Sequence, residues 1–213
     1  MRIFLILSIL TFFTFPNVVF AADLDANGKA VAIITLNNPP TDSAVGKALP
    51  RTEVVRLSGP VKIQTSEIGD VDDDGKADVQ TEIVDMNLTG KTPFGLAINL
   101  NSSKSNRSMG MAEELRSNPF PFIKNRVANS FFDVFLELRH TPFHNSVTAA
   151  VIPDEVLTSC ESVRFQGISK SLADLSGVYT QRMSGKITLC GIDGNPAGSL
   201  SLFAINLNSS KSN

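Results

Sequence analysis

From residue 128 to residue 139 the chain reads A-N-S-F-F-D-V-F-L-E-L-R, with Phe132, Val134, Leu136 and Leu138 at every second position. Phe131, Asp133, Phe135, Glu137 and Arg139 fall between them. A repeat of two is the side-chain period of a β-strand, whose neighbours point to opposite faces. The segment is therefore a strand with one buried face, and its backbone needs strand partners. Shorter apolar or alternating runs at 29–36, 52–57, 61–66, 79–88, 94–100 and 146–152 supply them. So do V-R-F-Q-G-I, L-S-G-V-Y-T-Q-R-M, K-I-T-L-C-G-I and S-L-S-L-F-A-I-N-L further on, separated by Gly, Pro and Asn. This spacing predicts an all-β, sandwich-like domain of short antiparallel strands. One exception is expected: residues 109–117, around A-E-E-L-R, read as a short helix broken by Asn118-Pro119.

Between the runs 61–66 and 79–88, which should pair as a hairpin, lies G-D-V-D-D-D-G-K-A-D-V-Q-T-E, residues 69–82. Asp70, Asp72 and Asp74 alternate, Gly75 follows and Asp78 comes four residues later: D-x-D-x-D-G-x-x-D, the first nine positions of an EF-hand-type Ca²⁺ loop. Ca²⁺ takes six to eight oxygens, so a short loop must curl until its carboxylates converge. Gly75 allows the turn, having no Cβ to oppose φ > 0. Lys76 would offer its carbonyl oxygen while its ammonium points to solvent, and Asp78 would ligate directly or through water. The twelfth position, where an acid usually closes the shell, is Thr81, and Glu82 is the acid beside it. With β-branched residues following, the loop belongs between strands, and there it resembles the Ca²⁺ loops of FG-GAP/VCBS and thrombospondin type 3 repeats. That resemblance covers the loop alone and implies an extracellular setting. A solvated acidic hairpin tip is the alternative.

Arg2 is followed by I-F-L-I-L-S-I-L-T-F-F-T-F and then N-V-V-F-A-A, the layout of a secretory signal peptide over residues 1–21. The apolar run is short for a membrane span, which needs about 20 residues, and no second such run follows. Residues 22–213 then form the exported domain, secreted or periplasmic. Its net charge of -2 argues against nucleic acid as partner. The two cysteines, Cys160 and Cys190, make one disulfide in an oxidising compartment, or stay as two buried thiols. His140 and His144 flank T-P-F, and Pro142 between them argues for ordinary loop histidines over a metal pair.

The decapeptide A-I-N-L-N-S-S-K-S-N occurs twice, at 97–106 and 204–213, each downstream of an L-S-G. It signals either a duplicated β-unit, with halves 22–127 and 128–213, or a local duplication of the decapeptide alone. T-E-I-V-D-M-N-L-T-G and S-F-F-D-V-F-L-E-L, with F-H-N after them, resemble a family of uncharacterised exported bacterial proteins, many of which carry a PEP-CTERM sorting tail. The resemblance implies compartment and class and no catalytic residues. The chain to Asn213 shows no apolar tail, so sorting is not carried over. The function expected is a non-catalytic envelope or extracellular matrix component with one structural Ca²⁺ loop formed by Asp70, Asp72, Asp74, Lys76, Asp78 and Glu82. The alternatives are a secreted hydrolase drawing on Asp133, Glu137 or Glu82, and a β-sandwich that binds a ligand on Phe131, Phe135 and Phe143.

Overall fold

The computed structural model describes residues 20–36, 41–42, 47–48, 52–70, 72–93, 97–115, 127–141, 155–181 and 185–210. The expected signal segment up to residue 19, the strand expected at 146–152, and Phe143 and His144 lie outside them. Every named element is a strand: β1 (Phe20–Leu36), β2 (Thr41–Asp42), β3 (Lys47–Ala48), β4 (Thr52–Ser66), β5 (Asp78–Lys91), β6 (Ala97–Ser102), β7 (Ser108–Glu114), β8 (Ala128–Val134), β9 (Leu136–Thr141), β10 (Glu155–Ser159), β11 (Val163–Ser171), β12 (Asp174–Gln181), β13 (Ile187–Cys190) and β14 (Pro196–Ser209). β2 and β3 pair with each other, and the other twelve form one antiparallel sheet.

That sheet closes on itself. β1, β4, β5 and β14 are long, continuous strands. The rest work as four collinear pairs. β6 and β7 run successively along β5, with Leu100 opposite Leu88 and Ala112 opposite Val79. β9 and β8 run along β6 and β7, β10 and β11 along β9 and β8, and β13 and β12 along β10 and β11. β14 then pairs with both β13 and β12 and, on its other side, with β1, which pairs with β4, itself paired with β5. Each stave therefore neighbours the next in the chain and the last neighbours the first. Four single strands and four pairs make an eight-staved up-and-down barrel, in which the first and last staves pair with each other in place of ending as edges. The expected all-β architecture holds, with opposite walls facing each other across one core as the layers of a sandwich do.

The alternation in the sequence supplies that core. Ala30, Ala32 and Ile34 of β1, Val55, Leu57, Val61 and Ile63 of β4, and Phe132, Val134, Leu136 and Leu138 along β8 and β9 are all buried. An eight-stranded barrel is just wide enough for its own side chains to fill. Phe132 and Tyr179 pack with ring centroids 5.2 Å apart. The Tyr179 hydroxyl donates to the Leu175 carbonyl oxygen at 2.8 Å and accepts from Ser130 Oγ at 2.7 Å, so the buried phenol is satisfied. Two bulges keep the apolar face inward: the register shifts on β5 between Ile83 and Asp85, and on β14 opposite Ala30 and Ala32. Gly110 marks a close approach of β7 and β8, where a Cβ would lie 2.1 Å from the Phe131 carbonyl oxygen.

Two expectations change. The helix around A-E-E-L-R is strand β7 as far as Glu114, because its backbone bonds to β5 on one side and β8 on the other, and Ala112 and Glu114 are buried. Tertiary pairing overrides the local helix preference. The first strand, expected at 29–36, begins at Phe20 as β1, whose ladder to β4 already includes Ala22 opposite Thr65. The two A-I-N-L segments fall in the fourth and eighth staves, four apart as in a duplicated half-barrel, but at different heights. The first opens its stave as β6, paired with β5 and β9, whereas the second lies in the later half of β14 with Ala204 opposite Thr180. The L-S-G tripeptides fall in β4 and β12, the second and seventh staves, which run in opposite directions. A duplication of the half-barrel would place them in the second and sixth. The shared feature is local: Ile98 and Leu100, like Ile205 and Leu207, point into the core.

Cys160 and Cys190 form a disulfide that closes a span of 30 residues. Replacing both with serine should cost about 3 to 4 kcal/mol in denaturant unfolding; a loss below about 1 kcal/mol would show that the bridge constrains little. Burial pushes the phenol of Tyr179 up to about 12. The unfolded phenol ionises near pH 10, so the folded state holds its proton longer and stability falls as pH rises from about 10 towards 12. Since Tyr179 is the chain's single tyrosine, tyrosinate absorbance should titrate near 12 while circular dichroism remains native. A native-state midpoint near 10 would contradict the buried network.

Candidate metal centre

The loop sits where the sequence places it, at the tip of the β4–β5 hairpin. Gly69, past the end of β4, and Asp78, the first residue of β5, exchange backbone hydrogen bonds, Gly69 N–H to Asp78 O at 3.0 Å and Asp78 N–H to Gly69 O at 2.5 Å. The segment 70–77 is thereby pinched into a closed loop. Its alternating aspartates turn their carboxylates back onto the loop's own amides. Asp70 accepts from the backbone N–H of Asp74 at 3.1 Å and of Gly75 at 2.9 Å, and Asp74 accepts from Lys76 N–H at 2.9 Å. Aspartates cap turns in this way, which is why they recur at every second position. Asp73 at φ 60° and Gly75 at φ 85° take left-handed conformations that complete the curl. Glycine adopts that geometry freely, and aspartate more readily than most other residues.

The curl gathers Asp70, Asp72 and Asp78, each with a carboxylate oxygen within 4.8 Å of the others. Oxygens bound to one Ca²⁺ at about 2.3 to 2.6 Å lie at most about 5 Å apart, so the spacing is compatible with a shared ion. Asp70 and Asp72 are exposed, whereas Asp78 is 1% exposed. Three like charges this close repel one another unless a cation lies between them.

The carboxylates of the other two expected acids, Asp74 and Glu82, are paired with cations. Asp74 faces Lys76, whose Nζ donates to Asp74 Oδ2 at 2.5 Å and also to Glu113 on β7. The ammonium does not point freely to solvent, because Glu113 stands directly opposite Asp78 across the β5–β7 ladder. The carboxylates of Asp74 and Glu113 raise the lysine's proton affinity above its ordinary range, and Lys76 in turn lowers that of Asp74. Lys76 is thus a tether between the loop and the barrel wall. Glu82 pairs with Arg107, whose Nε donates to Oε1 at 2.8 Å. It lies four residues along β5 from Asp78, about 13 Å at strand rise, and the structure does not bring it to the cluster. Thr81, 0% exposed, belongs to the inner side of the wall.

The acids weighed for hydrolysis are likewise paired. Asp133 holds Arg164 through Nε at 2.8 Å and through Nη2, and Glu137 accepts from Arg139 Nε at 2.7 Å. His140 is on β9. Glu113 and Arg107 escape a sequence reading because they meet their partners only through strand register. The available hint is a charge of the right sign in an adjacent run.

Neither a family model nor a curated protein matches the sequence. Among solved structures, the fold is similar to that titled "Structure of DynF from the Dynemicin Biosynthesis Pathway of Micromonospora chersina", with a TM-score of 0.59 at 14% identity over 88% of this chain and 80% of that one. At that identity the likeness is one of fold: the chain shares an all-β architecture with that protein.

Proposed function

We propose that this protein is an exported, non-catalytic β-barrel whose β4–β5 hairpin tip binds one structural Ca²⁺, and that it serves as a component of the cell envelope or extracellular matrix. The observation that carries the reading is the convergence of Asp70, Asp72 and buried Asp78 inside a loop whose amides are already bound to its own aspartates. The Cys160–Cys190 bridge supports an oxidising compartment, as does the signal-like N-terminus. No helix among the described residues is long and apolar enough to cross a membrane. Three carboxylates leave room in a six- to eight-oxygen shell for loop carbonyls and water. The ion's role is to fix the tip, because the Lys76–Glu113 contact carries the loop's position to β7.

Calorimetry should give one site with Kd of about 10⁻⁴ to 10⁻³ M, the range of extracellular modules. At 10 mM Ca²⁺ this adds about 1.4 to 2.7 kcal/mol to folding stability. Asp72→Asn should abolish the heat and leave the Ca²⁺-free protein no less stable, whereas Glu82→Gln should change Kd less than about twofold. No heat at millimolar Ca²⁺ and no Tm change with EDTA would refute the site, and loss of binding in Glu82→Gln would put that residue in the shell. Export predicts a mature N-terminus at Ala22, a cut that removes only the first two residues of β1. Intact mass of protein recovered outside the cytoplasm checks this, and an uncleaved chain held in the membrane would contradict it.

A further inference from the structure

On the outside of the barrel, β7, β8, β11 and β12 carry two neighbouring rows of side chains. Met111 stands opposite Phe131, Phe131 opposite Gln166, and Gln166 opposite Thr180. Two residues along the strands, about 7 Å away, Glu113 faces Asn129, Asn129 faces Ile168, and Ile168 faces Val178. The side chains between the rows, Ala112, Ser130 and Tyr179, are buried in the core, so alternation puts both rows on the outer face. Residues of both rows, with the Ser130–Gly167 pair of the ladder between them, line a hollow of about 500 Å³. Small-molecule sites usually measure about 300 to 1,000 Å³.

The hollow offers hydrogen-bonding groups without net charge. The side-chain amides of Asn129 and Gln166 are exposed and bond no described residue. The Thr180 hydroxyl reaches the Gln166 carbonyl oxygen only at 3.5 Å, longer than an ordinary O–H···O bond. Glu113 is the single ionisable residue of the lining, and Lys76 Nζ holds one of its oxygens and offsets its charge. Met111 and Ile168 add apolar surface, Ile168 being 56% exposed. Phe131 is kept in place by the Arg164 guanidinium, 4.3 Å from the ring centroid. A neutral polyol matches this set, because each hydroxyl both donates and accepts, as the two amides do. The C–H face of a pyranose ring covers the apolar side chains. A peptide fits less well: its backbone groups need partners, and the ladders on both sides of β8 and β11 already use the backbone here. A carboxylate or phosphate ligand finds no cation in the lining.

We propose that this outer hollow binds a neutral glycan, its hydroxyls on Asn129, Gln166 and the open oxygen of Glu113, and its ring face on Met111 and Ile168. The site lies apart from Asp70, Asp72 and Asp78 and uses no metal. The test is to titrate the full exported chain with cellohexaose, chitohexaose, xylohexaose and maltohexaose while following amide resonances. At least one sugar should give saturable shifts centred on residues 111–113, 129–131, 166–168 and 180. Hexagalacturonate, which carries carboxylates, and a neutral Ser-Ala hexapeptide should each bind at least tenfold more weakly than the best of the four. Asn129→Ala and Gln166→Ala should each weaken that sugar at least fivefold, and Asn87→Ala, at an exposed position on β5, should leave it unchanged. No saturable shift with any of the four at millimolar concentration, or shifts scattered over the barrel, would overturn the proposal. So would equal or tighter binding of hexagalacturonate or the hexapeptide, or undiminished sugar affinity in a natively folded Asn129→Ala/Gln166→Ala protein. Sugar binding should persist in EDTA, so missing calcium heat refutes the loop site alone and missing sugar shifts refute this site alone.

Discussion

The ladder between β1 and β14 closes the barrel, and the other features depend on that closure. Ten residue pairs from Ala26–Ser209 to Leu36–Gly198 join the first stave to the last. Without them the sheet would end in two long apolar edges, and its inner face would lie open to water. With them, each stave needs only its chain neighbours. The aliphatic and aromatic residues at alternate positions then meet in one interior.

Closure also sets where charge can go. With the inner face given mostly to Leu, Ile, Val and Phe, acids and bases other than the buried Glu53 and Glu114 are left to the outer face and the loops, where antiparallel register pairs several of them. Lys76 finds Glu113, Arg107 finds Glu82, and Arg164 finds Asp133. Exposed pairs of this kind contribute little to stability, but they fix side-chain positions. Lys76 joins the hairpin tip to β7, and Arg164 of β11 is held on Asp133 and over the Phe131 ring of β8. The β4–β5 tip is the place where carboxylates gather, and there Asp70, Asp72 and Asp78 stand together.

The strand character of the chain was legible because a period of two survives from Phe132 to Leu138 and is only re-phased by single bulges elsewhere. The acidic loop and its place in a hairpin were legible because aspartates at alternate positions, followed by glycine, have a direct backbone consequence. What could not be read was pairing between strands far apart in sequence. A-E-E-L-R carries helical propensity, and only its two flanking ladders make it a strand. Glu82 sits one residue past the expected closing position, and only the register reveals that Arg107 holds it. The repeated decapeptide showed the same limit, since its identity records a shared inward pattern and not the height at which each copy sits in its stave.

The central claim is that the aspartates at the hairpin tip curl around a hard divalent ion. A crystal structure grown in millimolar calcium tests it most directly. The account predicts one ion, with anomalous signal, about 2.3 to 2.6 Å from oxygens of Asp70, Asp72 and Asp78, while Lys76 stays on Glu113 and Glu82 stays on Arg107. Side chains of those three aspartates turned apart into solvent, with no ion between them at that calcium concentration, would contradict it.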